Sequence, residues 1–157
     1  AKRIELCCNL SEGGTTPSIG LLKVIKCNVS LPVFVMIRPR GGDFLYTEAE
    51  FEVMIEDCEQ VINAGADGIV CGILTKQGEI DVPGCKKLLG IIKPLPVTFH
   101  RAFDMVPDQS AALEVIINLG FDRILTSGGK PDVLQGAPRL KDLVNQAGRR
   151  IIIMPGK

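Results

Sequence analysis

Residues 63–70 read Asn-Ala-Gly-Ala-Asp-Gly-Ile-Val, and residues 118–125 read Asn-Leu-Gly-Phe-Asp-Arg-Ile-Leu. A second phrase, Leu-Pro-Val, occurs at residues 31–33 and again at residues 95–97, and each time it opens an apolar run. The two phrases alternate along the chain. An internal repeat of this kind indicates that one supersecondary unit has been used several times. We therefore expect a fold built from repeated strand–helix units.

Six short β-type runs can be placed around these phrases, and they start roughly 27 to 35 residues apart, the length of a βα unit. Helical patterns fill the gaps. Thr16 and Pro17 offer an N-cap with proline at the first helical position, Thr47 and Glu50 fit a capping box, and the last helix is expected over about 138–147. The predicted strands are 3–6, 33–37, 68–71, 97–100, 123–126 and 150–154.

Near-continuous apolar strands that alternate with amphipathic helices are typical of a parallel sheet covered by helices. Alternate strands of a (β/α)8 barrel supply alternate layers of its interior, so the two-phrase rhythm favours this fold. A doubly wound open sheet is the rival, but no dinucleotide-binding fingerprint follows any strand. We predict an α/β fold, a TIM (β/α)8-type barrel in an incomplete version with about six parallel strands and five helices.

The length sets the expected domain organisation. A complete barrel has eight strands and about 250 residues, whereas this chain has 157 residues. We expect residues 1–157 to form a single partial TIM-barrel domain that lacks the first βα unit and the last helix, strand and helix. The outermost strands would then be open edges, which favour association. A homo-oligomer is therefore expected.

The composition narrows the possible partners and the compartment. Eighteen basic residues balance eighteen acidic ones, which argues against electrostatic binding to nucleic acid or to an anionic membrane. The apolar stretches are of strand length, far short of a membrane span. Six cysteines without a secretory leader or a Cys-x-x-Cys pair indicate a reducing compartment. We predict no nucleic-acid partner and no membrane partner.

Polar side chains gather where the predicted strands end, at the face that carries the active site in βα barrels. Alternation along each strand puts Glu5, Cys7 and His100 on the face toward the barrel axis, with Arg38 beside them. A carboxylate, a thiol, an imidazole and a guanidinium at one opening are more than packing requires. The candidate site residues are Glu5, Cys7, Arg38, Arg40, His100, Arg101, Asp104, Ser127, Gly128 and Gly129.

Glu5, His100 and Asp104 are the catalytic candidates, with Glu5 or His100 as the acid/base group. Each has an ordinary alternative. A lone histidine is often a hydrogen-bonded structural residue, and Glu5 would equally pair with an arginine inside the barrel.

The candidate anion-binding residues are basic side chains and the amides of a glycine-rich loop. Arginines bind carboxylate and phosphate groups with two parallel hydrogen bonds, and successive loop amides bind phosphate. The set comprises Arg38, Arg40, Arg101, Ser127, Gly128 and Gly129.

Cys7 is the candidate metal ligand, because a soft thiolate suits Cu(I). Its neighbour Cys8 points to the opposite face of the strand, so the two thiols do not form a ready chelate.

Several of these stretches together resemble the CutC copper homeostasis family, and the animal members most closely. The resemblance covers essentially the whole chain, and residues 96–105, Pro-Val-Thr-Phe-His-Arg-Ala-Phe-Asp-Met, are its most specific part. The other matching stretches are residues 3–7, 10–18, 35–44, 125–129 and 154–156. The resemblance implies a TIM-type barrel, Cu(I) binding, an oligomer and a cytoplasmic location, with the nucleus as a second location.

The resemblance also implies a copper ligand set. Copper in this family is associated with a pair of cysteines near the barrel mouth. Cys7 matches one of them, and the other lies on a preceding strand that this chain does not contain. We therefore expect this chain alone to bind Cu(I) weakly or not at all.

The sequence supports two candidate functions. The first is a copper homeostasis protein that binds Cu(I) through the Cys7 thiolate at the barrel mouth. The alternative is a TIM-barrel enzyme of unknown reaction acting on a small anionic metabolite, with Glu5 and His100 as acid/base and Arg38 and Arg40 as anion clamps. A third reading is a truncated product with neither activity, so the sequence leaves open whether the chain is an enzyme.

Overall fold

The computed structural model describes residues 2–156, along which six strands alternate with five α-helices. Each predicted strand is found within two residues of its predicted bounds. The strands are β1 (Ile4–Leu6), β2 (Val33–Met36), β3 (Gly68–Cys71), β4 (Val97–Phe99), β5 (Arg123–Thr126) and β6 (Ile152–Pro155). The helices are α1 (Ile19–Asn28), α2 (Glu48–Asn63), α3 (Val82–Ile92), α4 (Gln109–Leu119) and α5 (Val133–Ala147), with 3₁₀-helices at Leu10–Glu12 and Arg101–Met105.

The chain divides into two compact units, residues 2–71 with 87–97 and residues 72–86 with 98–156. In the first unit, β1, β2 and β3 pair in parallel, with Glu5 opposite Phe34. In the second unit, β4, β5 and β6 pair in parallel, with Phe99 opposite Ile124. Parallel pairing of consecutive strands needs a crossover connection, which the helices between them supply. The single-domain organisation stays a prediction.

The strands carry the apolar core of each unit. Every residue of β2 and β3 is buried, as expected for parallel strands that are covered on both faces. In the second unit Phe99 packs edge-to-face against Phe121, with ring centroids 5.3 Å apart. Among residues 2–156, every helix falls short of the length and apolarity that crossing a bilayer requires.

Local capping explains where most helices begin and end. The capping box at Thr47 is confirmed, since its hydroxyl accepts the Glu50 amide and the Glu50 carboxylate accepts the Thr47 amide. Gly65 follows α2 with φ +91°, and Gly120 ends α4 with φ +87°. A side chain is disfavoured in this left-handed conformation, which explains glycine at both positions.

The prediction for the start of α1 was wrong by two residues. Ser18, rather than Thr16, caps the helix, and its hydroxyl accepts the Leu21 amide at 3.1 Å. Thr16 is engaged elsewhere, because its hydroxyl accepts the backbone amide of Arg38 at 2.9 Å. A contact distant in the sequence thus decides which hydroxyl is available to the helix.

The prediction for α5 was also wrong, since the helix begins five residues before Pro138. Asp132 caps it by accepting the Gln135 amide at 2.9 Å. Pro138 then lies in the second turn. The hydrogen bond that it cannot donate is the one to the carbonyl of Leu134, an exposed residue, so the helix tolerates the proline despite its usual cost.

Candidate functional site

Arg38, at the end of β2 in the first unit, is only 4% exposed. Its guanidinium donates to the carbonyl oxygens of Glu12 at 2.6 Å, Gly14 at 2.9 Å and Gly42 at 2.7 Å. It also lies over the ring of Phe44, 4.8 Å from the centroid. These contacts tie the loop after β1 to the loop after β2. The described contacts of Arg38 are therefore structural, and its role as an anion clamp stays a prediction.

Arg40 lies in the same loop, and carboxylates balance its charge. Its guanidinium pairs with Glu50 and, at 3.0 Å, with Asp43, and it donates to the carbonyl of Leu45 at 2.8 Å. The hydrogen bond from Arg40, together with the Thr47 amide, lowers the pKa of Glu50 to about 2. An external anion would have to displace these partners, and the clamp role of Arg40 stays a prediction.

Cys7 follows β1 and is half-buried in the first unit. Gly14 packs against it with φ +95°, and a Cβ at Gly14 would lie 3.2 Å from the Cys7 sulfur and 3.4 Å from the Met36 methyl. The Cys7 sulfur and the Met36 methyl group therefore both lie beside this glycine, and Cys7 packs against the buried cluster that contains Met36. Burial, with smaller contributions from Cys8 and Glu5, raises the pKa of the Cys7 thiol.

Glu5 forms an ion pair with Arg3 at 2.7 Å. The Arg3 guanidinium in turn lies over the ring of Phe34, 4.7 Å from its centroid. An arginine partner for Glu5 was one of the two sequence-based readings. The acid/base role of Glu5 stays a prediction.

Asp104, in the second unit, collects hydrogen-bond donors from the loop after β5. Its side chain is 5% exposed and accepts the Thr126 hydroxyl, the Ser127 amide at 3.1 Å, the Gly129 amide at 2.9 Å and Arg101 Nε at 2.9 Å. Burial alone would raise the pKa of this carboxyl. The donors outweigh burial, and the pKa lies below its ordinary value.

The hydrogen bonds of Asp104 occupy the loop after β5, whose amides were predicted to bind an anion. Two of its amides, those of Ser127 and Gly129, are bound by Asp104, and the Gly128 amide donates to the Thr126 hydroxyl at 2.9 Å. Arg101 also donates to the Ser127 hydroxyl at 3.0 Å. An external anion would have to compete with an internal carboxylate here, and the anion-binding role of the loop stays a prediction.

His100 lies at the end of β4 in the second unit and is 3% exposed. Its Nδ1 accepts the Ala102 amide at 3.2 Å, so the neutral imidazole carries its proton on Nε2. A Cβ at Gly72 would lie 2.7 Å from Nδ1, which shows how closely this backbone approaches the ring. The predicted convergence of His100 with Glu5, Cys7 and Arg38, which belong to the first unit, stays a prediction.

Two neighbours of the candidate residues were missed by sequence reasoning. Tyr46 has a buried hydroxyl that forms no hydrogen bond within residues 2–156. Burial raises its pKa to about 12, against smaller opposite effects of Arg38 and Arg40. Met36 was noted only as sharing a face with Arg38, and no sequence signal linked it to Cys7.

The described part of the chain offers few side chains that could bind a metal ion together. Residues 2–156 contain no group of three or more His, Cys, Asp or Glu side chains arranged to hold a metal ion. A copper site built from these residues would therefore use few ligands. Cys7 and Met36, which belong to the same packed region, carry soft sulfur groups of the kind that Cu(I) prefers.

The sequence pattern that defines the CutC family matches residues 1–157. The chain belongs to the CutC family. The human copper homeostasis protein cutC homolog is 59% identical over 156 residues, 99% of this chain and 57% of that protein. A CutC family protein of Parabacteroides distasonis is 53% identical over 157 residues, 99% of this chain and 65% of that protein. This CutC-family chain therefore spans less than two thirds of the length of these relatives.

Solved structures confirm the fold class of this CutC-family chain. The crystal structure of a CutC protein from Streptococcus agalactiae matches with a TM-score of 0.94 at 40% identity, over 98% of this chain and 76% of that one. The aldolase QR15 matches with a TM-score of 0.67 at 16% identity, over 87% of this chain and 63% of that one. At that identity the likeness shows the fold alone. The predicted incomplete TIM-type barrel, with six parallel strands and five helices, is confirmed.

Proposed function

We propose that this chain takes part in copper homeostasis and binds Cu(I) through the thiolate of Cys7. Membership of the CutC family, whose human member is named for copper homeostasis, supports the role. The meeting of Cys7 and Met36 beside Gly14 carries the chemical part of the proposal. Copper is the cargo in this proposal.

The chemistry of the two sulfur groups favours Cu(I) over harder cations. Thiolate and thioether ligands are soft, and they select Cu(I) among biological metals. Cys7 supplies the negative charge, and Met36 supplies a neutral second ligand from the adjacent strand. Because the pKa of the Cys7 thiol is raised, copper binding must displace the thiol proton. The cost of removing this proton lowers the apparent affinity for copper.

An anaerobic titration with Cu(I) against a competing chelator tests this proposal. We expect Cys7→Ser to weaken binding by more than about 100-fold and Met36→Leu by about tenfold, effects at or beyond those of outer-shell changes at metal sites. Cys27→Ser and Met105→Leu are matched controls, because both side chains are exposed. Equal affinities for the wild type and Cys7→Ser would exclude Cys7 as a ligand.

The proposal includes a location and an assembly state. Six free thiols are typical of a reducing compartment, and we propose the cytoplasm, with the nucleus as a second location. A homo-oligomer is proposed because the resemblance to the CutC family implies one. Cell fractionation tests the location. Size-exclusion chromatography with light scattering tests the assembly, and a monomer at all concentrations would contradict it.

A second candidate function is an enzyme acting on a small anionic metabolite. The observation that favours it is His100, a buried imidazole at a strand end whose neutral form carries its proton on Nε2. Glu5 or His100 would transfer protons, and Arg38 and Arg40 would bind the anion. A metabolite screen by thermal shift tests this function. An anion that stabilises the wild type and His100→Gln equally would contradict a role for the imidazole.

A further inference from the structure

We infer that a polar cavity in the second unit is a binding site for a small phosphate-bearing anion. The cavity is a groove that is wide open to solvent, with a volume of about 520 Å³, and it lies between the start of α4, residues 128–130 and Arg139 of α5. That volume falls within the usual range of small-molecule sites. Its cations are not among the predicted site residues, and the inference does not depend on copper binding at Cys7.

Arg139 is held in place by neutral partners. Its Nε donates to the Gln109 side-chain oxygen at 3.1 Å, and its Nη2 donates to the Ser110 hydroxyl at 2.9 Å. Gln109 is itself buried, with 9% of its surface exposed. Within residues 2–156, Arg139 forms no ion pair. Its guanidinium is thus oriented while its charge stays unbalanced, and three of its five N–H donors remain for a ligand.

Lys130 supplies a second cation at the same cavity. Its backbone carbonyl accepts the Ser127 hydroxyl, which fixes the chain at this point. The side chain is exposed and forms neither a hydrogen bond nor an ion pair with the part of the chain that the structure describes. A flexible ammonium group beside a fixed guanidinium is a common arrangement for phosphate, which takes a bidentate arginine and a point charge from lysine.

The carboxylates at the cavity are already satisfied from within. Asp108 caps α4 and accepts the Ser110 amide at 2.8 Å and the Ala111 amide at 3.1 Å, where the helix dipole favours a negative charge. Asp104 is paired with Arg101 and is bound by loop amides. The acidic groups therefore have their donors, whereas the two cations lack counter-ions.

The chemical class of the ligand follows from this imbalance. Lys130 and Arg139 form no ion pair with the described residues, and together they outweigh the single charge of Asp108, the cavity carboxylate that has only amide partners. The remaining donors of Arg139 suit the oxygens of phosphate. A monocarboxylate has fewer acceptor oxygens and less charge than phosphate, so it would use fewer of these donors. A small organic phosphate is therefore the expected ligand, with inorganic phosphate as its simplest probe.

Calorimetric titration of the copper-free protein with inorganic phosphate tests the inference, with potassium chloride holding the ionic strength constant. We expect Arg139→Gln and Lys130→Gln each to raise the Kd by about tenfold or more, the loss of one charge-assisted contact. Lys141→Gln is the matched control, because it removes an exposed cation of α5 that does not line the cavity. Its Kd should equal that of the wild type.

Three outcomes would overturn the inference. They are no phosphate binding by the wild type, equal Kd values in all variants, or acetate binding as tight as phosphate binding. Circular dichroism checks that each variant is folded. If Arg139→Gln is unfolded, Lys130→Gln decides the matter, because its side chain makes no contact on which folding depends.

Discussion

The carboxylate of Asp104 accepts the backbone amide of Gly129 at 2.9 Å, across 25 residues of sequence. The same carboxylate binds the Thr126 hydroxyl, the Ser127 amide and Arg101. One buried side chain thus organises the whole loop after β5. The loop carries glycine at 128 and 129 with φ +73° and +69°, a left-handed conformation in which a side chain is disfavoured.

Asp104→Asn should lower the free energy of unfolding by about 2–3 kcal/mol, because an amide replaces a carboxylate that accepts several charge-assisted hydrogen bonds. Urea denaturation at neutral pH measures the change. Asp142→Asn is the matched control, since Asp142 is exposed on α5, and its effect should be within about 0.5 kcal/mol of zero. A similar stability for the two variants would contradict the organising role of Asp104.

The contribution of Asp104 should also depend on pH. Its folded-state pKa lies below the ordinary carboxyl value, so the stabilisation is complete above that ordinary value, about 3.9, and is lost as the pH falls through the folded pKa. The difference in unfolding free energy between the wild type and Asp104→Asn should therefore shrink on acidification. Urea denaturation at a series of acidic pH values measures it, and a constant difference would exclude this linkage.

Arg38→Lys should cost about 2–4 kcal/mol, although the charge is kept. The guanidinium reaches three main-chain carbonyls in different directions, whereas one ammonium nitrogen on a flexible stem cannot reach all three. The buried carbonyls left without donors account for the loss. Chemical denaturation compares it with Arg149→Lys, an exposed control. Equal midpoints for the two variants would show that the described contacts of Arg38 contribute little.

Local sequence signals predicted the elements well, and distant contacts explain what they missed. The capping box at Thr47 depends on residues three positions apart, so the sequence alone revealed it. The start of α1 depended on whether Thr16 was already bound to Arg38. No pattern over a short window carries that information. For the same reason, the sequence does not reveal which main-chain carbonyls accept hydrogen bonds from the buried Arg38.

In the candidate site, too, local sequence predicts some features and contacts between distant residues decide the others. The residue types and strand ends were predictable, because they follow from the βα repeat. The contacts that these residues make were not predictable from the sequence. Asp104 binds amides of the loop after β5, and Met36 lies beside Gly14 with Cys7, only because the folded chain packs them together. Lys130 and Arg139 had no signal at all. Their importance lies in having no counter-ion within residues 2–156, a property that only the folded arrangement reveals.

Gly72→Ala should destabilise the protein by about 1–3 kcal/mol, the usual cost of overpacking. The new Cβ would lie 2.7 Å from His100 Nδ1 and 2.8 Å from Cε1, so the imidazole has to move. Gly90→Ala is the control, because its Cβ meets nothing within 4 Å, and alanine in a helix should stabilise by about 0.5–1 kcal/mol. The imidazole proton signals of the single histidine should shift only in Gly72→Ala; unshifted signals there would contradict the close contact.

Tyr46 allows a direct pH measurement, because it is the only tyrosine and the chain has no tryptophan. Burial raises its pKa to about 12, whereas an unfolded tyrosine ionises near about 10. The folded state therefore favours the neutral phenol, and stability should be unaffected below the unfolded pKa and fall as the pH rises from there toward the folded pKa. Tyrosinate absorbance should appear near pH 12 in the native protein and about two units lower in urea. Tyr46→Phe should flatten the alkaline loss of stability, and native absorbance already rising at the unfolded value would contradict the burial of this hydroxyl.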